Sequence, residues 1–150
     1  MFSDIHFHKS ADIEEAIRQL KMLTLNRDIP IVLADPNIIM KKLLKSLLQR
    51  FGFTNIVMNV NGDELLYYAK NTPEEFVAFY NLNYQGYDGV RMYQTLNKIS
   101  RENPLKFVVI SNPLDYRDAE TLKNIGVDSL LYKPVDLKGL AECLREIEVL

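Results

Sequence analysis

A repeated alternation of short apolar runs with longer segments of helical spacing is the feature that most constrains the fold of this chain. The first apolar run is Ile29–Ala34, and the segment after it, Asn37–Phe51, has an apolar residue at every third or fourth position. Pro30 lies near the start of its run, where a strand tolerates a residue without an N–H donor. Apolar strands separated by helices favour a parallel sheet covered by helices on both faces.

Five such strand and helix pairs follow one another from residue 29 to residue 149. The predicted strands are Ile29–Ala34, Thr54–Met58, Phe76–Tyr80, Phe107–Ile110 and Ser129–Tyr132. The predicted helices are Asn37–Phe51, Asp63–Lys70, Val90–Ser100, Asp115–Ile125 and Asp136–Val149. Asp115 is a candidate N-cap, and Gly52 and Gly126 stand where helix C-caps are expected. We expect residues 29–150 to form one domain.

An additional amphipathic helix is predicted over residues 12–25, within an N-terminal extension of residues 1–28. Its apolar positions include Ile13, Ile17 and Leu20, and charged side chains occupy the opposite face. Because that apolar face has to be buried, we expect the helix either to fold back on its own domain or to pair with a second copy.

Composition excludes several classes of protein. The 18 basic and 20 acidic residues give a formal charge of −2, which argues against a strongly basic nucleic-acid binder. Cys143 is the one cysteine, so an internal disulfide framework and a four-cysteine zinc site are excluded. No apolar run approaches the roughly 20 residues of a membrane span, and Met1–Ser10 lacks the apolar core of a signal peptide. We expect a cytoplasmic protein.

A polar residue follows every predicted strand. These residues are Asp35, Asn59, Asn81, Ser111 and Lys133. Ligands of open parallel sheets bind beyond the carboxyl ends of the strands. The five residues therefore mark the candidate site.

At these positions the chain resembles the receiver domains of two-component response regulators. The resemblance covers about residues 29–149 and rests on Val32–Asn37, Asn81–Gly89, Val108–Asn112 and Leu131–Pro134. It implies a flavodoxin-like, five-stranded parallel sheet of order 2-1-3-4-5, with helices on both faces. The helix predicted over residues 12–25 is extra to that domain.

The resemblance also implies roles for individual residues. Asn81 stands at the position where the family phosphorylates an aspartate. The family's adjacent pair of metal-binding acids corresponds to Asp35-Pro36, or to Ala34-Asp35 if the alignment moves by one residue. Asn83 completes the remnant of the acidic pocket. The positions that respond to phosphorylation are Ser111, Leu130, Lys133 and Pro134; Leu130 replaces the usual aromatic residue, and Pro134 would follow a cis peptide bond.

These departures predict a receiver that works without phosphorylation. Clustered carboxylates repel each other, and a divalent cation offsets that repulsion. With Asn81 and Pro36 in place of two acids, we expect Asp35 and Lys133 to neutralise each other without a metal. No cofactor is expected, although Asp35 could hold Mg²⁺ weakly. The Asp35–Lys133 pair would then be a relic salt bridge, with a live ion site and a partner contact as alternatives.

The predicted function is that of a non-enzymatic interaction module with a protein partner. The expected interaction face is formed by the fourth helix, last strand and last helix, with Tyr116, Arg117, Lys123, Asp128, Leu130 and Arg145. A homodimer through this face or through the N-terminal helix is a further expectation. Tyr84 and Tyr87, in the loop after Asn81, are either interface anchors or lids packed on the sheet edge. We expect neither nucleic acid nor membrane as a partner.

Two alternative functions remain open at this point. One is a Mg²⁺-dependent receiver that accepts a phosphoryl group on Asp35 or another carboxylate. The other is a small-ligand binder with a flavodoxin-like sheet, which the lack of a glycine-rich loop after the first strand disfavours. His6 and His8 are spaced like metal ligands along a strand, but only Asp4 lies near them as a third ligand, which favours a solvated or packed tail.

Overall fold

A computed structural model describes residues 13–14, 27–59, 61–82, 89–99 and 103–150. Of the predicted N-terminal helix, only Ile13 and Glu14 lie in these ranges, and both are helical and exposed. His6, His8, Asn83, Tyr84 and Tyr87 lie outside the described residues. The expectations for those positions stay predictions.

Five parallel strands form one sheet, as the alternation of the sequence predicts. The strands are β1 (Ile31–Ala34), β2 (Ile56–Asn59), β3 (Phe76–Asn81), β4 (Leu105–Ser111) and β5 (Ser129–Tyr132). Their spatial order is β2-β1-β3-β4-β5, and every neighbouring pair is parallel. β1 and β3 are buried along their whole length, which explains why they are apolar runs rather than alternating ones.

Helices cover both faces of the sheet. They are α1 (Ile38–Arg50), α2 (Gly62–Asn71), α3 (Gly89–Asn97), α4 (Tyr116–Ile125) and α5 (Leu137–Glu146). Leu44 and Leu48 of α1 share one core cluster with Leu140 and Leu144 of α5. The helices α2, α3 and α4 contribute to a second cluster on the opposite face. The flavodoxin-like fold and its 2-1-3-4-5 order are therefore confirmed.

Several helix ends differ from the predicted boundaries, and α3 ends at Asn97 rather than at Ser100. A short 3₁₀ helix, Pro113–Asp115, precedes α4, and the Asp115 side chain makes no capping hydrogen bond. At the other end, α5 stops at Glu146 rather than Val149, because Glu148 adopts a positive φ of 64°. Gly126 does end α4 in a left-handed conformation, with φ 118°.

Two basic side chains bind the carbonyl groups beyond α5. Arg27 Nη1 donates to Val149 O at 2.7 Å, and Lys106 Nζ donates to Ile147 O. The Arg27 guanidinium also lies over the Phe53 ring, 5.1 Å from its centroid. These contacts satisfy orphan carbonyls at a helix C-terminus and place positive charge where the helix dipole favours it. The Arg27 hydrogen bond also joins the chain just before β1 to its last turn.

Candidate functional site

The parallel register brings the polar residues at the strand ends to one edge of the sheet. Ala34 pairs with Tyr80, so Asp35 lies beside Asn81, the last residue of β3. Asn81 pairs with Ile110, which places Ser111 one residue further along the neighbouring strand. The sequence reasoning therefore selected residues that the fold brings together.

Asp35 and Asn81 form a buried hydrogen-bonded pair. Asn81 Nδ2 donates to Asp35 Oδ2 at 3.0 Å, and the residues are 5% and 1% exposed. The backbone N–H of Asn37 donates to the other carboxylate oxygen, Asp35 Oδ1, at 2.8 Å. Asn37 in turn caps α1, because its side chain accepts from the N–H groups of Ile39 and Met40. Asp35 is thus held by hydrogen bonds to both carboxylate oxygens.

Ser111 and Lys133 occupy the adjoining strand ends. Ser111 is fully buried, and its hydroxyl donates to Asn112 O at 2.9 Å. Its carbonyl accepts from the backbone N–H of Lys133 at 2.9 Å. The Lys133–Pro134 peptide bond is cis, as predicted.

The structure corrects one expectation at this site. Within the described part of the chain, no ion pair joins Asp35 to Lys133. The Lys133 side chain is half-buried, and the carboxylate binds the Asn81 amide and a backbone N–H instead. A neutral amide has replaced the expected ammonium as the partner of Asp35, because Asn81 stands next to Asp35 on the adjacent strand and is equally buried.

The donor set available for a metal is small. Asp35 and the amide oxygen of Asn81 are oxygen donors from the two strand ends, and Pro36, exposed beside them, supplies no side-chain ligand. Across the ranges that the structure covers, no group of three His, Cys, Asp or Glu residues is placed to hold a metal ion. Over the same ranges, no helix is both long and apolar enough to cross a bilayer.

Solved structures with this architecture come from several bacteria. A CheY-like receiver domain of a response regulator from Methylobacillus flagellatus matches 80% of this chain and 98% of its own, with 21% identity and a TM-score of 0.70. A response regulator receiver protein from Pseudomonas putida matches 79% and 97% of the two chains, with 23% identity and a TM-score of 0.66. The chain has the receiver fold.

An adenylate cyclase from Rhodopirellula baltica has the same fold over 81% of this chain and 87% of its own, with 21% identity and a TM-score of 0.65. No family model matches the sequence, and no curated protein matches it either. At these identities the comparisons establish the receiver fold.

Some side chains of the predicted interaction face make hydrogen bonds within the domain. Asp128 accepts from the backbone N–H of Phe107 at 2.6 Å, and burial raises the pKa of its carboxyl. Lys123 donates to Glu146 at 3.2 Å and to the Asp128 carbonyl. The Ser129 hydroxyl and then Lys123 lower the pKa of Glu146. Lys123 and Asp128 are therefore engaged within the domain.

Of the remaining side chains of this face, Tyr116, Arg117 and Arg145 are exposed. Arg117 lies over the ring of Tyr116, 6.0 Å from its centroid, and Tyr116 is 49% exposed. Arg145 is exposed on α5, and Leu130 is half-buried on β5. Leu114 is 93% exposed in the 3₁₀ helix and was not predicted, because a lone apolar residue in a turn carries no periodic signal.

Cys143 is a core residue, as its place on the apolar face of the last helix predicts. Its side chain is 2% exposed, and burial raises the pKa of the thiol to about 11. A raised pKa leaves the thiolate about 100-fold scarcer at pH 8 than in a thiol of pKa 9. We therefore expect iodoacetamide to label Cys143 at least about 100-fold more slowly in the folded protein than in urea. Mass spectrometry follows the labelling, and equal rates in the folded protein and in urea would contradict the burial of Cys143.

Proposed function

We propose that this chain is a receiver-fold interaction module whose output does not depend on phosphorylation. The hydrogen bond between Asn81 and Asp35 carries the proposal. A receiver acceptor is a carboxylate, which takes up a phosphoryl group as an acyl phosphate. At the corresponding strand end this chain has an amide, which has no anionic oxygen to attack phosphorus and donates its N–H to Asp35 instead.

The charge of the site supports the same proposal. Mg²⁺ is held by oxygen ligands in near-octahedral geometry and commonly by one or two carboxylates. Asp35 is the single carboxylate at these strand ends among the described residues, and both of its oxygens already accept hydrogen bonds. Weak Mg²⁺ binding and no phosphoryl transfer follow from this arrangement.

The partner in this proposal is a protein, and the module itself has no enzymatic activity. The face formed by α4, β5 and α5 offers an exposed tyrosine stacked with an arginine, Tyr116 and Arg117, beside the apolar Leu114. Tyrosine and arginine are enriched among the residues that dominate binding energy at protein interfaces. Because no phosphoryl group changes this face, partner concentration rather than phosphorylation would set its occupancy.

An amide NMR titration tests the proposal. The uniformly ¹⁵N-labelled chain is titrated with Mg²⁺ to 20 mM, about twentyfold above a dissociation constant of about 1 mM, and then with beryllofluoride, which mimics a phosphoryl group. We expect no saturable shift at Asp35, Asn81 or Ser111, and no response of α4 or α5.

The Asp35→Asn variant is the matched control for the alternative receiver. Saturable shifts that spread to α4 and β5 in the parent chain would overturn the proposal. If the Asp35→Asn substitution then abolished those shifts, Asp35 would be identified as the ligand or acceptor, and the function would be that of a phosphorylated receiver.

A further inference from the structure

Helix α1 exposes an apolar surface that the described residues leave uncovered. Ile39 is 76% exposed and Leu43, one turn later, is 40% exposed. Ile38 is a third exposed apolar residue, at 52%. Such a group of large apolar side chains on one helix suggests an interaction site. We refer to Ile38, Ile39 and Leu43 as the α1 patch.

The N-terminal segment reaches the domain at the end of α1. Arg27 lies 3.8 Å from the position that a Cβ atom on Gly52 would occupy, just beyond the last residue of α1. The Asp28 carbonyl accepts from Asn55 Nδ2 at 3.2 Å, immediately before β2. Arg27 and Asp28 therefore lie at the same edge of the sheet at which α1 ends.

The helix predicted over residues 12–25 matches α1 in length, and the point at which it ends sets its direction. A helix over residues 12–25 would be about 21 Å long, and the 13 residues of α1 span about 20 Å. Since both segments end at the same edge of the sheet, a helix lying along α1 would run parallel to it. Ile17 would then come level with Leu43, and Ile13 level with Ile39.

The charges of the two segments are complementary at their starts. The predicted helix begins with Asp12, Glu14 and Glu15. Helix α1 carries no acidic residue, and it exposes Lys42 in its first half and Lys45 just past its middle. A parallel arrangement brings Glu15 close to the level of Lys42, and an antiparallel arrangement would bring the acids close to Arg50. The direction of the helix is therefore set by the edge at which both segments end, and the charges are compatible with it.

We propose that residues 12–25 pack as a helix along the α1 patch of their own chain, parallel to α1, with Ile13, Ile17 and Leu20 against it. Ile13 is 56% exposed in the structure, so both surfaces expose apolar area that this contact would bury. The contact would cover α1 and leave the face formed by α4, β5 and α5 open. It does not depend on whether the receiver is phosphorylated.

Disulfide cross-linking in the full chain tests this contact. Ile17→Cys and Leu43→Cys are combined in a Cys143→Ala background and oxidised at low protein concentration. The control pairs Ile17→Cys with Tyr67→Cys, because Tyr67 is 71% exposed on α2, on the opposite face of the sheet. Thermal melts of both oxidised and reduced forms establish that each variant is folded.

We expect the Leu43 pair to form an intramolecular disulfide at least about tenfold faster than the Tyr67 pair, since docking raises the effective concentration of the two thiols. The product is a monomer whose mass is lower by two hydrogens, with the two electrons taken up by the added oxidant. Equal rates for the two pairs would overturn the proposal. A product found only as a covalent dimer would also overturn it and would assign the α1 patch to a second copy.

Discussion

Asn81→Asp is expected to lower the free energy of unfolding by about 3 kcal/mol at pH 7 without divalent cations. The Asn81 amide nitrogen lies 3.0 Å from Asp35 Oδ2, and both side chains are buried. The substitution would replace a hydrogen-bond donor with a second carboxylate and leave two like charges in contact. Urea unfolding followed by circular dichroism measures the loss.

Mg²⁺ should restore much of that stability in the variant and change the parent little. A cation that binds the folded state alone stabilises it by about 2.7 kcal/mol at a concentration 100 times its dissociation constant. The control exchanges the two groups, combining Asp35→Asn with Asn81→Asp, which again leaves one carboxylate and one amide. If Asn81→Asp alone were as stable as the parent without Mg²⁺, the side chains of Asp35 and Asn81 would not interact as described.

Gly89→Ala is expected to destabilise the domain by about 1–3 kcal/mol, in the range of overpacked cores. A Cβ atom on Gly89 would lie 2.6 Å from Leu82 Cδ1. Leu82 packs against the second core cluster, so turning its Cδ1 end away gives up part of that packing. Its backbone stays in place, because the Leu82 N–H donates to Ile110 O at 2.8 Å. The same urea unfolding measurement gives the size of the effect.

A double-mutant cycle distinguishes this clash from a general effect on α3. In a Leu82→Ala background, the Leu82 side chain is removed and Gly89→Ala should cost less than about 1 kcal/mol. An equal cost in both backgrounds would show that the contact with Leu82 is not the cause.

The fold could be predicted from the sequence because its strands are buried on both faces. Continuous apolar runs such as Phe76–Tyr80 indicate parallel strands, and the helical segments between them supply the crossover connections. Helix ends were less predictable, because they depend on distant side chains. The end of α5 is bound by Arg27 and Lys106, which lie far from it in the sequence.

The candidate site was located from the sequence, but its internal contacts were not. Strand ends identify Asp35, Asn81 and Ser111, because parallel strands end at one edge. The choice between Lys133 and Asn81 as the partner of Asp35 depends on side-chain direction and burial, which residue spacing does not specify. The α1 patch was not predicted, because the helical spacing of Met40, Leu44 and Leu47 marks the face of α1 that packs on the sheet, and Ile39 and Leu43 lie outside that spacing.

The hydrogen bond between Arg27 and Val149 has a mechanical consequence. A force that pulls the segment before β1 away from the last turn of the chain has to break this hydrogen bond and the contact of Arg27 with the Phe53 ring. Arg27 therefore ties the two ends of the domain together at the edge of the sheet opposite to Asp35 and Asn81.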